Sequence, residues 1–135
     1  MTGVQTCALP ICLLQLTPFE DGTLDQCQSL NITPLAWSPL GGGLLGDGAV
    51  ELLPGQKGYQ PAKIVAAIDE LAHARGTTRV AIALAWLLKH PTNMIPIIGS
   101  TNPERIRAAA TAAEIELTRE EWYRLLVAAR GEPLP

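Results

Sequence analysis

Apolar positions along this chain fall into two kinds of block. Residues 33–38, centred on Leu35, Ala36 and Trp37, form a compact apolar run bounded by turn formers. Residues 95–98 form another, interrupted only by Pro96. Short runs of this kind read as buried strands. Residues 13–17 carry a weaker run, expected to be the remnant of a strand. The other blocks repeat at helical spacing. Leu24, Cys27 and Leu30 predict a short helix. Ile64, Val65, Ile68, Leu71 and Ala72 form the stripe of a helix over Pro61–Arg75, which Gly76 stops. Residues 80–90 are apolar nearly all round, which at this length means burial; Thr77 or Thr78 caps this helix and Pro91 ends it. Asn102 and Pro103 are an N-cap and first-turn pair that opens a helix over residues 103–113. Thr118-Arg-Glu-Glu121 is a capping box, opening a last helix with Trp122, Leu125, Leu126 and Ala129 inward and Gly131 at its stop. Residues 18–22 read as a turn-rich link and residues 47–60 as an exposed loop.

The resulting order is strand, helix, strand, long loop, two helices, strand, two helices. Strands alternating with helices argue for an α/β fold with a parallel sheet. Parallel strands need both faces covered, and three strands cannot cover themselves. The pattern therefore suits the last part of a larger barrel better than an independent open sandwich.

Composition narrows the function classes. The chain has 135 residues, 47% hydrophobic and 17% charged, with a formal net charge of -3. No basic excess points to nucleic acid, and no apolar run is long enough to span a bilayer. Cys7, Cys12 and Cys27 make neither a zinc pattern nor a disulfide framework. His73 and His90 lie far apart on predicted helices and read as ordinary helix residues, so no metal site is expected.

Local chemistry singles out two segments. The first is the turn and helix start from Gly99 through Ser100, Thr101, Asn102 and Pro103 to Arg105. A helix N-terminus beside a flexible turn and a guanidinium suits an anion, most naturally phosphate. An ordinary well-capped strand-to-helix connection would read the same way. The second is Pro39-Leu-Gly-Gly-Gly-Leu-Leu-Gly-Asp-Gly48, too rich in glycine for a regular element.

Residues 1–11 stand apart. They read, codon for codon, as the translation of a common sequencing-library adapter with GTG taken as the start, and Cys12 straddles the junction. The rival reading, the tail of a signal peptide, lacks a basic region before it and a small-residue cleavage site after it. Residues 1–12 are thus expected to lie outside the fold, which would occupy residues 13–135.

Four motifs in order carry a resemblance: Asp21-Gly-Thr-Leu-Asp-Gln26, Leu35-Ala-Trp-Ser-Pro-Leu-Gly-Gly-Gly43, Val80-Ala-Ile-Ala-Leu-Ala-Trp-Leu-Leu88, and Pro96-Ile-Ile-Gly-Ser100 followed by Glu104-Arg-Ile-Arg-Ala-Ala109. From Leu14 to the end the chain resembles the carboxyl-terminal portion of the aldo-keto reductases, in particular the YdhF-like bacterial oxidoreductases. The resemblance implies a (β/α)8 TIM barrel, of which about strands 6–8 with their helices would be present. It implies NADPH as cofactor, a cytoplasmic enzyme, and a small-molecule aldehyde or ketone reduced by hydride transfer, with neither nucleic acid nor membrane as partner. In such barrels the phosphate site lies in the loops after strands seven and eight.

By the same resemblance Trp37 would lie flat against the nicotinamide ring, although a core tryptophan at a strand end would look the same. Ser38, Leu40 and Gly41 would meet the pyrophosphate. Ser100, Thr101, Asn102 and Arg105 would hold the adenosine 2′-phosphate. Many members carry a lysine where this chain has Gly99, so the load falls on Arg105; Arg107 reads as a solvated helix charge. The family's chemistry uses a tyrosine as general acid with a lysine, an aspartate and a histidine. Tyr59 and Tyr123 lie in no matching motif, so no catalytic residue is assigned and the chain as it stands is expected to be inactive. A non-catalytic nucleotide-binding or interaction module is the alternative reading.

Overall fold

A computed structural model describes residues 5–47, 52 and 61–135. Its chain order is β1 (Gln5–Pro10), α1 (Thr17–Glu20), α2 (Thr23–Ser29), β2 (Ile32–Trp37), a 3-10 turn at Gly41–Gly43, α3 (Pro61–Arg75), α4 (Arg79–Leu88), β3 (Ile95–Ile97), α5 (Pro103–Ala110), a 3-10 turn at Thr111–Glu114, and α6 (Arg119–Arg130). The three strands form one parallel sheet in the order β1-β2-β3. Leu35 pairs with Ile95, and Trp37 with Ile97. The expected α/β arrangement with parallel strands is therefore present. Apart from Asp47 and Leu52, the loop expected over residues 47–60 lies outside the described residues.

Two expectations need correction. No strand forms over residues 13–17; Cys12 and Gln15 instead close a tight turn, the Gln15 N–H donating to the Cys12 carbonyl at 2.9 Å. The strand lies earlier, at Gln5–Pro10, inside the segment expected to stand outside the fold. Its pairing has a simple physical source. The edge of β2 presents a row of backbone donors and acceptors, and an extended apolar segment of any origin can satisfy them. Ile11, Cys12 and Leu13 follow β1 directly into the core and are almost fully buried.

The second correction concerns burial. Pro34 and Ala36 on β2 are buried under the helices, whereas Leu35 is half-buried and Trp37 is 47% exposed. Ile95 and Ile97 on β3 are 51% and 45% exposed, not the buried pair the pattern suggested. This alternation marks a sheet with helices on one face and an apolar face that no described residue covers. A parallel sheet in that condition is unusual, because its strands are normally sandwiched.

The core lies on the covered side. Helix α4 is its centre: every residue from Val80 to Leu87 is buried, as the all-round apolar pattern required. Thr78 caps it, accepting from the Ala81 N–H at 3.2 Å. The predicted stops and caps of the other helices hold. Gly76 and Gly131 adopt positive φ at the ends of α3 and α6. Thr118 and Glu121 close both bonds of the capping box. Glu121 also takes a two-bond ion pair from Arg75 on α3, at 2.9 and 2.6 Å, which holds its carboxyl below the usual carboxylate range. A second pair, Arg124 with Glu70, joins the same two helices.

Helices α4 and α6 are locked by two tryptophans. The rings of Trp86 and Trp122 stack at 5.0 Å between centroids and 10° between planes. Each indole N–H donates to the other residue's backbone carbonyl, at 3.1 and 2.9 Å. Phe19 of α1 packs on Trp86 at 5.0 Å. His90 meets Phe19 edge-on at 5.2 Å and shares a hydrogen bond with Thr92; burial in this cluster pushes its pKa down. Trp86→Phe removes one arm of the exchange and part of the stacking. It is expected to cost about 1–3 kcal/mol. In urea unfolding, Trp86→Phe and Trp122→Phe together should cost less than the sum of the two, because they share one interaction.

Candidate functional site

Parallel strands leave a sheet at one edge, so the segments after β2 and after β3 emerge side by side. Between them lies a cavity of about 580 Å³, within the usual range for a small-molecule site. One wall is the glycine-rich turn, with Ser38, Leu40, Gly43 and Gly46. The other is the end of β3 and the first turns of α5, with Ile98, Gly99, Ser100 and Arg105.

The turn is built from successive tight bonds. The Gly41 N–H donates to the Ser38 carbonyl at 2.8 Å, that of Gly43 to Leu40 at 3.1 Å, and that of Gly46 to Gly43 at 2.9 Å. Such a path demands positive φ, found at Ser38, Gly41, Gly42 and Gly43. At Gly41 the demand is double: φ is +60° and an added Cβ would stand 2.8 Å from Leu14 Cδ1. Leu44 and Leu45 then plunge into the core and pin the turn.

The opposite wall carries the polar chemistry. Asn102 Oδ1 accepts from the N–H groups of Glu104 and Arg105 at 2.8 and 3.4 Å, the cap that was expected. The Asn102 N–H in turn donates to Ser100 Oγ at 3.2 Å. Two first-turn amides of α5 are thus already engaged; the polar side chains that line the cavity are Ser100 and Arg105 on this wall, with Ser38 and Asp47 on the other. Arg105 is exposed and faces the cavity.

Of the eight residues singled out from sequence, Ser38, Leu40, Ser100 and Arg105 line this cavity. Trp37, Gly41, Thr101 and Asn102 do not. Trp37 ends β2 one residue before the turn, Gly41 is buried behind it, and Asn102 serves as the cap. Asp47, Val80 and Ala108 also line the cavity, though none of the three is among those eight. Val80 and Ala108 are ordinary helix positions that only packing brings here, whereas Asp47 belongs to the glycine run and was legible as part of it. Tyr123 lies on α6 against Trp122 and under Arg119, not in the cavity. Among the described residues no group of three His, Cys, Asp or Glu side chains is placed to hold a metal ion, and no helix is long and apolar enough to cross a membrane.

A parallel α/β sheet with a cavity beyond the carboxyl ends of its strands defines a broad class of ligand-binding folds. Comparison with known proteins is narrower. Residues 11–128 match the aldo/keto reductase family, and the chain belongs to that family. It is 42% identical to a 6-dehydroglucose reductase of Novosphingobium aromaticivorans, over 90% of this chain and 38% of that protein. It is 40% identical to the oxidoreductase YdhF of Escherichia coli, over 85% of this chain and 36% of that protein. A thermostable aldo-keto reductase crystallised with the inhibitor epalrestat superposes with a TM-score of 0.75 at 29% identity, over 91% of this chain and 39% of that one. The chain therefore spans a little over a third of the length of the relatives it matches.

Glycine is required at some of these positions and not at others. Gly41→Ala is expected to lower stability by about 1–2 kcal/mol through its left-handed backbone. Gly99→Ala, whose added methyl group meets nothing within 4 Å, is expected to be neutral within experimental error. Urea unfolding of the two variants checks the contrast.

Proposed function

We propose that this chain is the cofactor-binding part of an NADPH-dependent aldo-keto reductase, taken from about strands 6–8 of a (β/α)8 barrel: β2 and β3 stand as the seventh and eighth strands, and β1, paired beside β2, takes the place of the sixth. The whole enzyme reduces an aldehyde or ketone, and bound NADPH supplies the hydride. The observation that carries this reading is that the glycine-rich turn after β2 and the Ser100 and Arg105 side chains after β3 line one cavity. Family membership and the reductases among its relatives support it. So does the uncovered apolar face of the sheet, which further barrel strands would close over.

In this reading the turn from Ser38 through Leu40 and Gly41 brings backbone close to the pyrophosphate. Ser100, Thr101 and Asn102 shape the α5 entrance, and Arg105 reads the 2′-phosphate through its planar cation. Trp37, exposed at the end of β2, offers an aromatic plane to the nicotinamide. No residue of this chain is assigned the proton transfer, so the chain alone is inactive. The 6-dehydroglucose reductases among its relatives make a sugar carbonyl the first substrate to try. Residues 1–12 are read as adapter-derived. The family match begins at residue 11, which leaves residues 1–10 outside it, and genomic sequence encoding residues 1–12 in continuous frame would refute the reading.

The test is cofactor selectivity. In the reductase that carries this segment, Arg105→Ala should weaken NADPH binding by about tenfold or more while changing NADH binding little. Gly99→Lys, placed in open space, should shift selectivity further toward NADPH. Equal losses of both cofactors in Arg105→Ala would show that Arg105 does not read the 2′-phosphate.

A further inference from the structure

We propose that Arg79 is the positioning residue for the glycine-rich wall of the cavity, and that it sets how firmly the wall holds a dinucleotide. The inference rests on the cofactor reading above. Its evidence is a three-way brace. The Arg79 guanidinium donates from Nε and Nη2 to the two carboxylate oxygens of Asp69, at 2.7 and 2.8 Å. Its Nη1 donates to the Gly46 carbonyl at 2.6 Å. One planar cation thus joins α3, the start of α4 and the last residues of the turn.

The geometry explains why an arginine stands here. Arg79 is the first residue of α4, where the positive end of the helix dipole disfavours a cation, and no acidic residue in that turn offsets it. The α4 N-terminus gains nothing from it, so the reason lies in its contacts. The two-bond fork on Asp69 fixes the plane of the guanidinium, which then aims Nη1 at Gly46. A lysine carries a single point charge and cannot fill both roles. Arg79 is half-buried, and the hydrogen bond with Asp69, more than any other effect, raises its pKa against the pull of burial.

The wall needs such a brace. Glycines at positive φ leave the free chain many alternative paths, and any freedom left in the folded protein must be lost when a ligand binds. At the β2 end the turn is held by the strand. In its middle it is held by Leu44 and Leu45 in the core. At its far end Gly46 is tied in both directions, its N–H to the Gly43 carbonyl and its own carbonyl to Arg79. The next residue along α4, Val80, lines the cavity itself, so the brace also fixes the distance between wall and floor.

The test compares two ligands in the reductase that carries this segment. Arg79→Met should raise the Kd for NADPH by about 3–10-fold. It should leave adenosine 2′,5′-bisphosphate, which needs only the α5 wall, within about twofold. Arg79→Lys should not restore NADPH binding. An equal loss of both ligands would mean general destabilisation and overturn the assignment, as would unchanged NADPH binding. If the unaltered protein binds neither nucleotide, the cofactor reading is what fails. Amide hydrogen exchange over residues 41–47 of the free protein then decides on Arg79: faster exchange in Arg79→Met supports the brace, and unchanged exchange overturns it.

Discussion

The parallel pairing of β2 with β3 is the constraint on which the rest of this structure depends. Trp37 stands beside Ile97 in register, so the two strands end together and both following segments start from the same edge. Had the strands run antiparallel, the glycine-rich turn and the Ser100 and Arg105 wall would lie at opposite ends of the sheet. The two segments are some sixty residues apart in sequence, and neither makes an enclosed site alone. Direction of pairing, more than any single side chain, is what creates the cavity.

Direction is in turn enforced by what the helices bury. Helix α4 is apolar on every side and must sit beneath the sheet with α3, α5 and the α6 tryptophan lock around it. That arrangement covers Pro34 and Ala36 and leaves Trp37, Ile95 and Ile97 facing away. An apolar sheet face of this kind is uncommon in a parallel sheet, and it fits a chain that spans little more than a third of its relatives' length. The same logic accounts for β1: an open strand edge accepts the nearest extended segment.

What could be read from the chain beforehand follows the range of the interactions involved. Helix limits were legible because caps act within one turn: Thr118 with Glu121, Asn102 before Pro103, Gly76 and Gly131 at positive φ. The two cavity walls were legible because glycine runs and capped helix starts have local signatures. The exposure of Ile95 and Ile97 is not legible in the sequence, because an apolar pattern tells which residues are apolar, not whether a partner layer covers them. The brace of Arg79 was invisible for another reason: its acceptors lie 10 and 33 residues away along the chain. Lining residues such as Val80 and Ala108 carry no chemical mark at all, and only the packing of α4 and α5 brings them to the cavity.

The central claim is that both segments grip one dinucleotide at the same time. A crystal structure of the reductase that carries this segment, grown with NADPH, tests it most directly. The account predicts phosphate density between the Ser38–Gly43 side and the Ser100–Arg105 side of the cavity, with contacts to both. Nucleotide bound elsewhere, or touching one wall with the other left in place and empty, would contradict it.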